Sequence, residues 1–496
     1  MSKSSDAAPS VRYRDLFARR EFSALVFAQI VSGLGDQVAR VAIALLVLDR
    51  TNSASLSAAT FALSYIPLVF GGTLLGPLAD RFARHKVLLA SDAIRLIAVG
   101  LLAVLANDSS PLVLLFVLLF VAELFTPVFD AAWAATLPEV LPVSREYLAG
   151  SGLLRTLHLL QQVAGLALGG LAVAVLQVQG ALIIDAISFA VSFVVLAVFL
   201  RRRATPAADR PRAGLLSDFT DGARDLFSDP SRRILVLVGW GSVLVMITPM
   251  AVALPYAEQV AGNASLGGLL MAATVGGAAV GSVLIARRDP RWQIEAIVPL
   301  SITACLPLLV VSVQPALPFA MVLWAISGAA TGFLVPLIGT LALLTAPSMR
   351  GRVLALAGAG YNALVAVFYL LAGVIADISQ PSIAVTLAGV TGLALLGVVR
   401  IFWPTKAMRD AVDDAYGVAD RFAEPVAEPT SAAFDAEPTM ISSPDDPEPE
   451  PQAPREQRIR ERNYAPTIEV ILPPPPADGD EPEAFPSGEF WERFRS

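Results

Sequence analysis

The sequence predicts an all-α membrane protein: twelve transmembrane helices in two six-helix bundles, both termini cytoplasmic, followed by a disordered acidic C-terminal tail. Three observations carry this expectation. Of the 496 residues, 55% are hydrophobic and only 16% are charged, which is too apolar for a soluble domain or for a chain disordered throughout. The apolar residues gather into twelve runs, each near the roughly 20 residues that a helix needs to cross the hydrocarbon core. The basic residues then fall almost wholly on one side of the resulting topology.

Residues 1–21 form a polar, basic N-terminal segment with Arg12, Arg14, Arg19 and Arg20. The apolar run behind it is longer than a signal-peptide core and lacks a small-residue cleavage pattern, so it reads as a first span. The runs lie at 22–48, 55–79, 87–106, 111–137, 149–176 and 180–200, then 234–257, 264–286, 293–313, 318–345, 353–377 and 381–403. No water inside a bilayer can satisfy backbone amides, so runs of this length must be helical. The first six runs make an N-terminal bundle, 22–200, and the last six a C-terminal bundle, 234–403. The polar linker between them, 201–233, opens on Arg201-Arg202-Arg203 and holds an amphipathic stretch, Gly214 to Phe227, suited to a membrane interface. The halves echo each other. Gly72-x-x-x-Gly76 and Gly277-x-x-x-Gly281 each close a run before a basic loop, and Leu141-Pro142 with Arg145 matches Ala346-Pro347 with Arg350. Small residues at this spacing let helix backbones approach closely, and six-helix halves related as parallel repeats are an architecture of secondary transporters.

Placing the N-terminus inside puts 24 Arg and Lys on inner segments and only Arg50 on outer loops, so both termini are expected in the cytoplasm. Residues 1–403 carry 27 basic and 22 acidic side chains, a net +5, whereas 404–496 carry 9 and 21, a net −12. That tail is rich in Pro, Asp, Glu and Ala and is expected to be disordered. Its two aromatic islands, Tyr464 to Leu472 and Phe485 to Phe494, are either incidental or a docking motif for a cytoplasmic protein partner. The single cysteine, Cys305, excludes an internal disulfide and a cysteine-based metal site. Only 3 of 36 basic residues are lysine, a bias that suits a GC-rich bacterial genome and a bacterial inner membrane.

The loop after the second run reads Gly76-Pro77-Leu78-Ala79-Asp80-Arg81-Phe82-Ala83-Arg84-His85-Lys86. It resembles the signature loop of the major facilitator superfamily, with Ala83 in place of a glycine and His85 in place of a basic residue. Asp92-x-x-Arg95, Phe129-Asp130, Leu137-Pro138-Glu139 and Asp185-Ala186-Ile187-Ser188-Phe189 are similar to the macrolide-efflux and enterobactin-exporter branch. The resemblance covers residues 12–403 and implies the major facilitator fold. It also implies a cytoplasmic gate built from Gly76, Asp80, Arg81 and Arg84, with Asp80 facing the start of the eleventh span near Arg352 and a loop arginine pairing with Asp130. The alternative is that these charges only set topology. Gly165-Leu166-Ala167-Leu168-Gly169-Gly170 is like an element of antiporters in the same superfamily, with Leu166 replacing its proline, and it reads equally well as tight packing of small residues.

Charges inside the spans narrow the site. An ion at the bilayer centre costs about 2.5–3.5 kcal/mol on insertion scales, so each needs a partner or a task. Asp36 and Arg40 lie one turn apart in the first span, at ion-pair spacing. Glu123 lies midway along the fourth span, Arg155 and His158 in the fifth. Asp36 or Glu123 is the candidate carrier of a coupling proton, with Arg40 and Arg155 as charge partners and His158 as a minor candidate relay. The alternative is a set of permanent ion pairs that hold helices together. Asp92 and Arg95, in a span that the resemblance puts at the periphery, read as a structural pair. Gln29, Gln161, Trp240, Tyr361 and Asn362 are candidate substrate-cavity residues, being polar or aromatic within apolar runs.

No P-loop and no metal-binding motif is found, and no soluble catalytic domain fits in the remaining length, so the chain is not expected to be an enzyme or to hold a cofactor. Proton motive force suffices as an energy source, since one charge across 100 mV is worth about 2.3 kcal/mol, roughly a 40-fold gradient. The expected function is proton-coupled export of an amphiphilic small molecule, a drug-like compound or siderophore, by alternating access. Its partners would be the lipid bilayer, that substrate and protons, with no nucleic acid. An importer of the same fold, or a membrane-embedded scaffold or sensor with a partner-recruiting tail, are the rival readings.

Overall fold

The computed structural model describes residues 13–70, 82–107, 109–203, 215–403, 408 and 410. Apart from residues 408 and 410, the tail therefore lies outside the described residues, as does the loop segment from Gly76 to Arg81. Every regular element among those described is helical. Among the described residues, nine helices are long and apolar enough to cross a membrane, and two shorter apolar helices, Ala54–Val69 and Ile297–Val313, join them.

The first half begins with a short α1 (Tyr13–Phe17) and a 32-residue α2 (Arg20–Thr51). Asn52, at φ 50° and ψ 25°, ends α2 by donating its N–H to Leu48 O, a left-handed cap that Asn tolerates. Then come α3 (Ala54–Phe70) and α4 (Arg84–Leu105). The fourth apolar run is split into α5 (Leu112–Leu124) and α6 (Thr126–Val140) at Phe125, because Pro127 cannot donate to the turn before it. The fifth and sixth runs lie in one continuous assignment, α7 (Ser144–Phe199), of 56 residues. At 1.5 Å per residue it would measure about 84 Å, far beyond a ~30 Å hydrocarbon core. The chain breaks at Gln177, at φ 61° and ψ 174°, between the two runs.

The linker stretch forms α8 (Leu215–Ser228). It is folded onto the helical body as well as being amphipathic: Leu226 is fully buried, and Gly222 sits against Arg352. The second half follows as α9 (Pro230–Ala251), α10 (Ala253–Ala261), α11 (Gly267–Ala286), α12 (Pro290–Glu295), α13 (Ile297–Val310), α14 (Leu317–Ala330), α15 (Leu334–Leu343), α16 (Arg350–Ile378) and α17 (Pro381–Ile401). Asp229 caps α9 by accepting from the N–H groups of Ser231 and Arg232 at 2.8 and 2.9 Å, with Pro230 supplying a preset first turn. Ile97, Leu101 and Val104 share an exposed face of α4. An outward apolar stripe of this kind suits lipid as its solvent.

The buried apolar side chains are distributed unevenly. At the end that carries most basic residues they form two separate clusters. One joins Leu16, Phe22, Leu88, Phe129, Leu141 and Leu200, and the other Leu226, Leu235, Phe333, Leu337, Val353 and Met408. Towards the opposite end, Val41, Ala58, Phe61 and Leu166 of the first half pack with Met250, Tyr256, Leu270 and Tyr369 of the second in one shared cluster. The halves thus meet at one end and part at the other.

Glycines set the closest helix crossings. A Cβ at Gly277 or Gly281 of α11 would collide with the carbonyl oxygens of Ala325 or Ala329 on α14, and one at Gly328 would strike Thr274 O. In lipid such backbone contact replaces the hydrophobic drive available in water. Gly281→Leu is therefore expected to prevent recovery of monodisperse protein, an overpacking cost of about 3 kcal/mol or more. Gly339→Leu, where the added Cβ meets nothing within 4 Å, is expected to behave as wild type. Equal yields on size-exclusion chromatography would contradict this account.

Candidate functional site: a charged cavity between α2, α4, α6 and α7

A cavity of about 80 Å³ opens inside the first half. It is lined by Gln29, Asp36 and Arg40 of α2, Arg95 of α4, Asp130 of α6, and His158 and Gln161 of α7, with small and aromatic neighbours. The small residues of α2 and α7 are what bring these elements together. A side chain at Gly33 would collide with Gln161, at Gly35 with Asp185 and Ser188, and at Gly165 with Gln37.

The ions of the spans pair across helices. Arg40 Nε donates to Glu123 Oε1 at 2.7 Å and its Nη2 to Oε2 at 3.0 Å. This two-pronged bond is among the stronger geometries for a carboxylate. Ser64 Oγ of α3 donates to the same Oε1 at 2.7 Å. Glu123 is 5% exposed and stands just behind the cavity wall. Asp36 accepts from Arg95 Nη2 at 2.5 Å. Arg95, 2% exposed, lies 4.2 Å from the ring centre of Phe189 and 5.9 Å from that of Phe129. The rings and the carboxylate together hold a guanidinium that the apolar core alone would reject. Asp92 accepts from Ser192 Oγ at 2.6 Å, and Asp185 from Ser188 Oγ at 3.1 Å.

Several sequence expectations are redrawn by this geometry. Asp36 and Arg40, one turn apart, are not each other's partner. Each finds a fully oriented counter-ion on a neighbouring helix, which a flexible pair along one helix cannot match. Arg95 is not paired with Asp92 at the periphery but reaches the cavity. Arg155 is exposed and makes no ion pair with Asp36 or Glu123, whereas His158 does line the cavity. Gln29 and Gln161 line it too, and the Oε1 of each is buried without a hydrogen bond. Trp240, Tyr361 and Asn362 belong to the other half. Trp240 Nε1 donates to Ala357 O at 3.0 Å and Tyr361 OH meets Met246 Sδ at 3.6 Å, so both polar tips are used in joining α9 to α16. Asn362 is half-buried on α16.

The gate residues divide likewise. Gly76, Asp80 and Arg81 lie outside the described residues. Arg84 donates to Ala135 O at 2.6 Å and pairs with Glu139, rather than with Asp130, which faces the cavity. Glu139 also meets Arg203 Nε at 3.7 Å, and Arg203 Nη2 pairs with Glu21 at 2.7 Å. Arg19 pairs with Glu146 at 2.6 Å. These contacts lace the basic end of the first half to the start of the linker. Arg352 contacts Met349 Sδ at 3.7 Å and lies under α8. Sequence reading missed Ser64, Glu139 and Arg203 as partners; a hydroxyl midway along an apolar run and a Glu at the end of one were the available signals for the first two.

A family model described as Major Facilitator Superfamily matches residues 25–342. The multidrug efflux pump Tap of Mycolicibacterium fortuitum is 28% identical over 393 residues, covering 77% of this chain and 95% of that protein. Among solved structures, the nucleoside transporter NupG superposes with a TM-score of 0.63 at 12% identity, over 77% of this chain and 98% of its own. A bacterial homologue of the human lysosomal transporter Spinster, in an inward-facing and unoccupied conformation, gives 0.56 at 15%, over 82% and 99%. At such identities the two structures speak to the fold alone.

Proposed function

Given that this chain belongs to the Major Facilitator Superfamily and is a multi-pass membrane transporter, we propose that it exports an amphiphilic small molecule in exchange for protons by alternating access. In this reading twelve spans form two six-helix bundles in a bacterial inner membrane, with both termini in the cytoplasm. The observation that carries it is the pair of buried ion pairs, Arg40–Glu123 and Arg95–Asp36, set at and just behind the wall of one cavity. Groups so costly inside a membrane persist where they act.

The chemistry follows from the donors. An Arg stays charged at any physiological pH, so only the carboxylates can load a proton. Protonating Asp36 or Glu123 cancels one charge of its pair and leaves a guanidinium in need of another acceptor. The cost of that unpaired cation drives a rearrangement of the helices that carry it. A proton entering from outside, down its gradient, thereby resets the transporter, and the substrate leaves by the opposite movement. The basic ends of the helices are assigned to the cytoplasm, so the side on which the two clusters part is the cytoplasmic one, ready to admit a substrate from within. The efflux-pump relatives support export over import.

Expressed in efflux-deficient bacteria, the protein is expected to lower accumulation of at least one compound in a broad amphiphile panel. A protonophore, Asp36→Asn and Glu123→Gln are each expected to restore it. Export that persists at full rate with the protonophore present would remove proton coupling from the reading.

A further inference from the structure

We propose that Asp377 is a positioning residue for transport: its carboxylate clasps the start of α3 and holds the outer ends of the two halves shut. The proposal rests on the alternating-access reading above. Asp377 stands at the last turn of α16, at the end remote from most basic residues. It accepts four hydrogen bonds from the segment that begins α3. Ala54 N–H reaches Oδ1 at 2.5 Å, while Ser55 N–H, Ser55 Oγ and Ser53 Oγ reach Oδ2 at 3.1, 2.5 and 2.9 Å. The first amides of a helix have no partner within it. They usually find a side chain of their own segment, and Ser53 does accept one, from Leu56 N–H at 3.2 Å. Two others are satisfied here by a residue more than 300 positions away, on the other half of the molecule.

The same face of α16 continues the contact inward. Gly373, one turn before Asp377, lies so close that an added Cβ would come within 2.5 Å of Ser55 Cα. Tyr369, a turn further, stacks on Phe61 at 5.5 Å and on Tyr65 at 5.9 Å. Residues 369, 373 and 377 thus form a stripe at helical spacing: an aromatic plug, a close approach and a charged cap. The plug and the close approach resist separation only while the surfaces touch. The cap adds charge-assisted bonds that must all break when α3 leaves, and water at the exposed helix end can then replace them. Asp377 thereby sets how often the outer end opens without taking part in binding.

The test reads the outer opening directly. Cys305 is the sole cysteine, and it is buried, so Cys305→Ser supplies a thiol-free background. A reporter, Ala58→Cys, stands on α3 beneath the clasp at a fully buried position. In right-side-out vesicles without substrate, a membrane-impermeant maleimide is expected to label the reporter about tenfold faster once Asp377→Ala is added, the scale of a lost helix cap. Asp377→Asn, which keeps an acceptor, is expected to fall between. Gly373→Leu, which forces the same surfaces apart, should also accelerate labelling. An unchanged rate in Asp377→Ala overturns the proposal. So does an equal acceleration at Ala384→Cys, a position 1% exposed within the second half, because that would mark general loosening. Labelling needs no transported compound, so failure of the export reading would appear in the accumulation assay and not here.

Discussion

Glu123→Ala is expected to destabilise the folded protein by about 3–5 kcal/mol and to abolish transport. The carboxylate is nearly inaccessible and holds both Arg40 and Ser64. Removing it leaves a guanidinium desolvated and unpaired, the costliest outcome for a buried ion pair. Removing both ions should cost far less, because an apolar pair of similar volume requires no desolvation. Arg40→Met with Glu123→Leu is therefore expected to recover most of the thermal midpoint in detergent while remaining inactive in the accumulation assay. That dissociation of folding from transport separates a working pair from a mere strut. A double variant that both folds and exports would make the pair structural.

Arg95 is expected to tolerate no substitution, lysine included. Arg95→Ala strands Asp36 beside the cavity and should cost a similar few kcal/mol. Arg95→Lys keeps the charge but not the planar group that lies over Phe189 while donating to Asp36. The lost stacking alone is worth about 2 kcal/mol where water is excluded. Thermal midpoints should run wild type, then Lys, then Ala, with export lost in both variants. Wild-type stability in Arg95→Lys would mean that the rings contribute nothing.

Helices were legible in the sequence because the bilayer permits little else. An apolar run of the right length has no other way to satisfy its amides, and each of the runs contains helix. The break between the fifth and sixth runs was legible too, in the polar Gln177–Gln179 stretch. Partner choice was not. Periodicity says that Asp36 and Arg40 share a face of α2 but says nothing about which helix that face meets. The answer lies in the neighbours on α4 and α5, which supply Arg95 and Glu123, while Gly33, Gly35 and Gly165 decide only how near α7 comes. Likewise Trp240 and Tyr361 were read from their chemistry as cavity residues, although their polar tips serve a helix contact. Asp377 went unremarked because an acid at the end of an apolar run looks like a boundary mark. Its meaning appears only once α3 is seen beside it.

The shared core at one end and the divided cores at the other give the molecule the mechanics of a lever. At 1.5 Å per residue, the 29 residues of α16 span about 43 Å. Each degree of tilt about the clasped end therefore moves the far end by about 0.8 Å. Adjustments too small to unpack Tyr369 from Phe61 are multiplied along the helix into passage for a molecule at the opposite mouth. The reverse stroke has no such gain, because the surfaces near the pivot must separate outright before anything can leave. In the alternating-access cycle proposed above, parting those clasped surfaces is thus the mechanically expensive movement.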